Sequence, residues 1–348
     1  MSAERSQRGQ GRCRVQTQLD LSRVQGNIDR FHRQVAARGD VRIRSHVKGH
    51  RTVEVALRQM AAGATGIAVT QLAQARRYVA AGITDVVVAH PWTEPWRWRL
   101  IAELAAQANA SAHVTTVAAV RGLGAEAAAA GVTVGVRLQL GTAEDVTAVP
   151  DHELLAVAAA VPAEPALRFD GVTAYQGLGT ADDACRRAAV GCAAARHAVR
   201  VAEEIRRSGL PCPGVTVGGT PTAEGALSVP GVTEICAGAY ALGDAGLAAI
   251  GACAQQDIAL HAAFDDQVTA DTALSEYPYP WQTWADSHPC GHGTPPGTLV
   301  APPHVCSLLP HLDCVTAYDA AGGRPVGQWK VLNERDAPPG RRHRAPAP

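Results

Sequence analysis

Residues 40–91 read DVRIRSHVKGHRTVEVALRQMAAGATGIAVTQLAQARRYVAAGITDVVVAHP, and this stretch decides the fold. DVRIRSHV alternates as a short strand does, and TVEVALRQMAAG carries apolar residues at helical spacing until Gly63 stops it. ATGIAVT is a second strand, QLAQARRYVAAG a second helix ending at Gly82, and ITDVVVAHP a buried strand. Short strands thus alternate with helices of ten or so residues, the signature of parallel β-strands joined by helical crossovers.

The same rhythm runs outward in both directions. LSRVQGNIDRFHRQVAARG precedes the stretch as a helix. WRWRLIAELAAQAN, AHVTTVAA, VRGLGAEAAAAG, VTVGVRLQLG, LRFDGVTAYQG, the long helix around AAARHAVRVAEEIRRSG, PGVTVGGTPT and VTEICAGAYALGD come after it, to about residue 245. About eight strand–helix units suit an α/β (β/α)8 barrel of the TIM type better than an open sheet. Chemistry in such a barrel sits at the C-terminal ends of the strands, where RSHVKGH, AYQG, GGTPT and AGAY fall. AHVTTVAA reads as one strand, and TLVAPPHVCSLL, DCVTAYDAAGG and RPVGQWKVLN read as short strands. The expected organisation is a polar, disordered arm over 1–16, the barrel over 17–250, a small C-terminal β domain over 251–335 and a disordered Pro- and Arg-rich tail over 336–348.

Composition removes several function classes. The 348 residues carry a formal net charge of zero, so no basic face for nucleic acid is implied. The first twenty residues lack the apolar core of a secretory signal, and no run approaches a membrane span. Nine cysteines, scattered without CxxC pairs, argue for a reducing cytoplasm rather than a disulfide framework.

Of the 32 cationic residues only Lys48 and Lys330 are lysine. Arginine serves wherever a positive charge is enough, but its guanidinium cannot give up a proton to attack a carbonyl. A lysine kept between His46 and His50 in an arginine-biased chain therefore reads as a carbonyl-attacking amine. The two imidazoles are placed to depress its pKa and shuttle protons. TVGGTPT (216–222) and CAGAYALGD (236–244) lie at late strand ends, where a barrel commonly binds phosphate. An aldehyde-binding lysine beside a phosphate cup suggests pyridoxal 5′-phosphate (PLP).

The order of these elements resembles the PLP enzymes with an alanine-racemase-like barrel, the fold type III enzymes, and within them the D-threonine aldolase / D-serine dehydratase branch. The segment from RSHVKGH to VVVAH resembles that family's Arg-Pro-His-x-Lys-Thr-His motif and the helix, strand, helix and strand after it. FDGVTAYQG, VTVGGTPT and ICAGAYALGD resemble its Tyr-His-Gly, Gly-Gly-Gly-Thr and Pro-Gly-Ser-Tyr motifs, and PPHVCSLLPHLD its His-x-Cys metal site. The resemblance implies that Lys48 bonds the cofactor's aldehyde and serves as base at Cα, with His46 beside it. It implies that Gly218, Gly219, Thr220, Gly238, Ala239 and Tyr240 hold the phosphate and that Tyr175 stands at the cofactor ring. His304 and Cys306 would bind a divalent metal. Two residues apart on a strand they share one face, and imidazole with thiolate suits zinc. His311 and Asp313 would be outer groups of that site.

Two motifs depart from the family pattern. Its Asp-x-Gly-x-x-Arg reads QLGTAED here, which puts Glu144 where the ring-nitrogen arginine stands. Its Ser-Glu-Glu-His-Gly is divided between SEYPY and CGHG, with His292 in place of the family histidine. The implied activity is a PLP-dependent lyase that deaminates a D-β-hydroxy amino acid to a keto acid and ammonia, like D-serine dehydratase. The alternatives are aldolase cleavage to glycine and an aldehyde, an amino-acid racemase, and a PLP-binding protein without turnover. A homodimer acting on a small-molecule amino acid is implied as well.

Overall fold

The computed structural model describes residues 15–141, 148–175, 183–264, 297–320 and 323–333. Glu144, His292 and most of the Trp- and Pro-rich segment 276–297 lie outside the described residues.

Eight parallel strands close a barrel in chain order: β2 (Arg42–His46), β3 (Gly66–Val69), β4 (Asp85–Val88), β5 (Asn109–Val114), β6 (Val134–Leu140), β7 (Leu167–Ala174), β8 (Gly214–Gly218) and β9 (Glu234–Ala237). β9 returns to β2, with Ile43 opposite Ile235. The crossovers are α2 (Val53–Ala61), α3 (Leu72–Ala80), α4 (Pro95–Ala105), α5 (Val117–Ala130), α6 (Leu154–Ala160), α7 (Ala184–Arg207) and α8 (Ala223–Leu227). β1 (Val15–Asp20) and α1 (Leu21–Ala36) precede them, and α9 (Ala245–Ala249) comes after.

The core lies between strands and helices rather than inside the barrel. Ile67, Val86, Val88, Val136 and Leu138 are wholly buried against the helices, each contributing about 1.5–3 kcal/mol. The alternate positions turn inward, and those on β2, β6, β8 and β9 are largely polar. Arg44, Arg137, Thr216 and Glu234 interlock near the N-terminal floor, while His113 and Gln139 pair nearer the mouth.

The AHVTTVAA stretch divides in two. β5 ends at Val114, and Thr116 then caps α5 by accepting from the Ala119 N–H at 3.1 Å.

The small sheet has the order β10 (Leu260–Phe264), β1, β11 (Cys314–Tyr318), β12 (Pro325–Lys330). The expected boundaries at 16/17 and 250/251 do not describe it. Val15 and Gln16 are already in β1, and β1 pairs with β10 and β11 rather than with the barrel. The VQTQL alternation, with Thr17 and Leu19 buried, is what suits it to a half-covered sheet.

TLVAPPHVCSLL is not a strand beyond one bridge between Val300 and Ala262. Proline cannot donate to a ladder. The Pro302 and Pro303 carbonyls instead accept from the Ala245 and Gly246 amides at 2.9 Å each, and the chain turns into α10 (Val305–Leu308).

Candidate active site

Lys48 lies in a single 3-10 turn, Val47–Gly49, directly after β2. His46 caps that turn: its Nδ1 accepts from the Lys48 backbone N–H at 3.4 Å. Gly49 brings the turn against the end of β9. A Cβ on Gly49 would stand 2.8 Å from the Gly238 carbonyl carbon, and one on Gly238 would stand 2.0 Å from the His46 carbonyl oxygen. Only bare α-carbons permit the approach.

The glycine-bearing strand ends form one cup. Thr220 Oγ1 accepts from the Tyr240 N–H at 3.1 Å, tying the end of β8 to the 3-10 turn Ala239–Ala241 after β9. Gly219 has φ +112°, a conformation that disfavours any side chain. Tyr175, at the end of β7 and 54% exposed, lays its ring over Gly218. The Tyr240 side chain faces away from this cup. It stacks on Phe31 at 4.1 Å between ring centres, and its hydroxyl meets His32 Nε2 at 3.0 Å and Ser45 Oγ at 3.4 Å. Its share in the cup is therefore its backbone.

The three imidazoles near Lys48 are neutral. Burial, and then the Lys48 cation, push His46 down to about 3. Burial pushes His50 down to about 4 against the hydrogen bonds from Gln59 and Thr52. It likewise pushes His113 down to about 4 despite its bond to Gln139. Both nitrogens of His50 are engaged: Nδ1 accepts from the Thr52 N–H at 3.2 Å, so Nε2 donates to Gln59 Oε1 at 3.0 Å. The sequence sets His46 and His50 beside Lys48 to depress its pKa and shuttle protons, and in the fold both rings are tied to the lysine loop. His50 holds the loop, and His46 orients the Lys48 backbone.

His304 and Cys306 come together at the start of α10, with His304 extended just before it and Cys306 within it. They do not share a strand face, but their side chains are hydrogen-bonded to each other. Asp244, wholly buried, accepts from His304 Nδ1 at 2.8 Å and from the Val305 N–H at 3.2 Å. Burial would lower the His304 pKa, but Cys306 and then Asp244 outweigh it and hold it well above its usual value. Burial would raise the Cys306 thiol, but His304 and then Lys48 draw it below its ordinary value. The Cys306 thiol donates to the Lys48 carbonyl at 3.6 Å.

A carboxylate behind an imidazole, with a cysteine sulfur beside it, is the donor set that orients a histidine toward zinc. Among the described residues no group of three or more His, Cys, Asp or Glu is placed to hold a metal. His311 and Asp313 flank Leu312 beyond α10, where the Leu312 and Asp313 carbonyls accept from Asn333 and Val331.

Sequence reasoning missed Asp244. It sits in CAGAYALGD, yet nothing local announces a partner sixty positions on.

The model of the alanine racemase N-terminal domain matches residues 19–245. D-threo-3-hydroxyaspartate dehydratase from Delftia sp. (strain HT23) is 35% identical over 252 residues, 70% of this chain and 64% of that protein. D-threonine aldolase from Arthrobacter sp is 34% identical over 231 residues, 65% of this chain and 60% of that one. The match therefore spans less than two thirds of the length of either curated relative. The solved structure of the Delftia sp. HT23 dehydratase covers 92% of this chain and 97% of its own, with a TM-score of 0.78 at 28% identity.

Proposed function

This chain belongs to the alanine racemase N-terminal domain family, and from that premise we propose that it is a PLP-dependent lyase of D-amino acids bearing a β-hydroxyl. The reaction is dehydratase-type: the hydroxyl leaves and the product hydrolyses to a keto acid and ammonia. PLP, when bound, supplies the electron sink for charge at Cα, and a divalent metal, zinc by its donors, supplies a Lewis acid for the hydroxyl.

The residues fit both groups. Gly218, Gly219 and Gly238 bring bare backbone to the strand ends where a phosphate would be held, and Tyr175 offers a ring beside them. Lys48 holds the cofactor through its amine and takes the proton at Cα. His46 sets the direction of the lysine turn. His304 and Cys306 hold the metal, with Asp244 fixing the imidazole. With His46 and His113 lowered by burial, the lysine amine, once deprotonated, is the base that moves the proton.

The observation that carries this reading is the Cys306–Lys48 hydrogen bond. It sets the metal-type pair and the lysine on one wall, so groups acting on neighbouring substrate carbons share a scaffold. Assembly as a homodimer belongs to the same reading, and sedimentation tests it.

The experiment is product identification. Protein loaded with PLP and zinc is offered D-serine, D-threonine and D-threo-3-hydroxyaspartate, with the L-isomers alongside. Keto acid and ammonia from a D-isomer are expected. Glycine and an aldehyde would assign the aldolase reaction to the same residues, and turnover of L-isomers alone would overturn the reading.

A further inference from the structure

Arg51 is the single non-glycine residue with positive φ (+53°) among the described residues, and it stands three positions after Lys48. A left-handed conformation at a long side chain costs free energy and persists only where its surroundings hold it. Here they do. The Arg51 N–H donates to the Val47 carbonyl at 2.7 Å, closing the loop that contains Lys48. Its own carbonyl accepts from the Leu332 N–H at 2.8 Å. Its guanidinium, 8% exposed as a residue, donates from Nη1 to Asn333 Oδ1 at 3.1 Å.

The far end of this contact is anchored independently. Asn333 Nδ2 donates to the Leu312 carbonyl, and Val331 N–H to the Asp313 carbonyl, both just beyond α10. Gln74 Nε2 of α3 donates to the Leu332 carbonyl at 2.7 Å. One residue thus joins the lysine loop to the segment Val331–Asn333, which is itself fastened to Leu312 and Asp313, a few residues after the helix carrying Cys306.

We propose that Arg51 is a positioning residue for Lys48, acting through the Val47–Arg51 loop and its lock on Leu332 and Asn333. It touches neither substrate nor cofactor. The lock sets where the lysine amine stands relative to the Cys306 side of the mouth. What that placement serves rests on the lyase reading, but the placement itself is testable without it.

Lys48 and Lys330 are the only lysines in the chain, and Lys330 is exposed, so it serves as an internal reference. The cofactor-free protein is treated with trace acetic anhydride across pH, and acetylation at Lys48 relative to Lys330 is read by mass spectrometry. Arg51→Gly removes the guanidinium and relieves the left-handed strain together, so its melting temperature is expected to stay near the parent's. Its Lys48 labelling is expected to rise several-fold with a displaced pH midpoint. Asn333→Ala should move the same ratio less, and the double variant no further than Arg51→Gly, because both cut one line of contacts. Arg51→Lys should restore part of the parent ratio.

In the PLP-loaded enzyme, Arg51→Gly is expected to lower kcat about tenfold with KM little changed. An unchanged labelling ratio and midpoint in Arg51→Gly overturns the proposal, and so does a double variant whose effects multiply. Should Arg51→Gly fail to fold, the ratio in Asn333→Ala decides alone. If the labelling ratio shifts in Arg51→Gly while the parent protein turns over no D-amino acid, the lyase reading falls and the positioning role stands.

Discussion

The floor and the mouth of the barrel both bury titratable side chains and treat charge in opposite ways. At the floor, Glu234 is wholly buried and stays ionised. It accepts from Arg44 Nε at 3.1 Å, Arg137 Nη1 at 2.6 Å and Thr216 Oγ1 at 3.0 Å, while Arg44 also pairs with Asp85 at 2.6 Å. Burial alone would raise the Glu234 carboxyl, but Arg44 and Arg137 hold it at about 2. At the mouth, His46, His50 and His113 are kept neutral, with only dipoles as hydrogen-bond partners. The floor shows that a buried charge survives when every neighbour answers it. The mouth shows a desolvated space in which Lys48 and the His304–Cys306 pair carry the charges.

The hardest blow to the mouth is Lys48→Arg. It keeps a cation and removes the only amine at the site able to give up its proton. Loss of the visible absorbance of lysine-bound PLP and of detectable turnover is expected, with little change in melting temperature. The corresponding blow to the floor is Glu234→Ala, which leaves two buried guanidinium groups without their shared carboxylate. A loss of about 3–5 kcal/mol is expected from chemical denaturation. A stability loss of that size from Lys48→Arg would erase the contrast.

Acid should separate the two regions more gently. The mouth histidines have folded pKa values of about 3 to 4 against an ordinary 6.5. The unfolded chain therefore takes up protons first, and stability is lost as pH falls below 6.5 toward 4. The depressed Glu234 contributes stability that is full above 4.5 and lost as pH falls toward 2. Melting temperature against pH should show both slopes. His113→Asn should flatten the upper one and leave the lower one unchanged.

The barrel was legible because its alternation of strand and helix is local, and Gly63 and Gly82 mark where helices stop. Lys48 was legible because arginine is the default cation of this chain. The His304–Cys306 pair was legible as residues but not as geometry: two prolines rule out a strand, and a buried Asp244 from another element completes the arrangement. The placement of the His50 ring depends on Gln59, nearly two turns into α2, and the left-handed Arg51 depends on Leu332 and Asn333. Those partners come from the tertiary fold, and no spacing rule announces them. Glu144 and His292, the two departures from the family pattern, fall outside the described residues.

The placement of β1 has a consequence for the making of the chain. Leu19 leaves the ribosome well before its neighbours in the sheet, Leu260 and Ala317. Throughout synthesis of the barrel, β1 is a strand with both edges open, and such edges invite pairing with other chains. The (β/α)8 unit can grow from contacts between successive elements, whereas the small sheet must wait for its most distant pairing. Completing that sheet is thus the step that covers β1. A chain cut short before β10 would expose β1 and would lack the Leu332–Asn333 lock on its lysine loop.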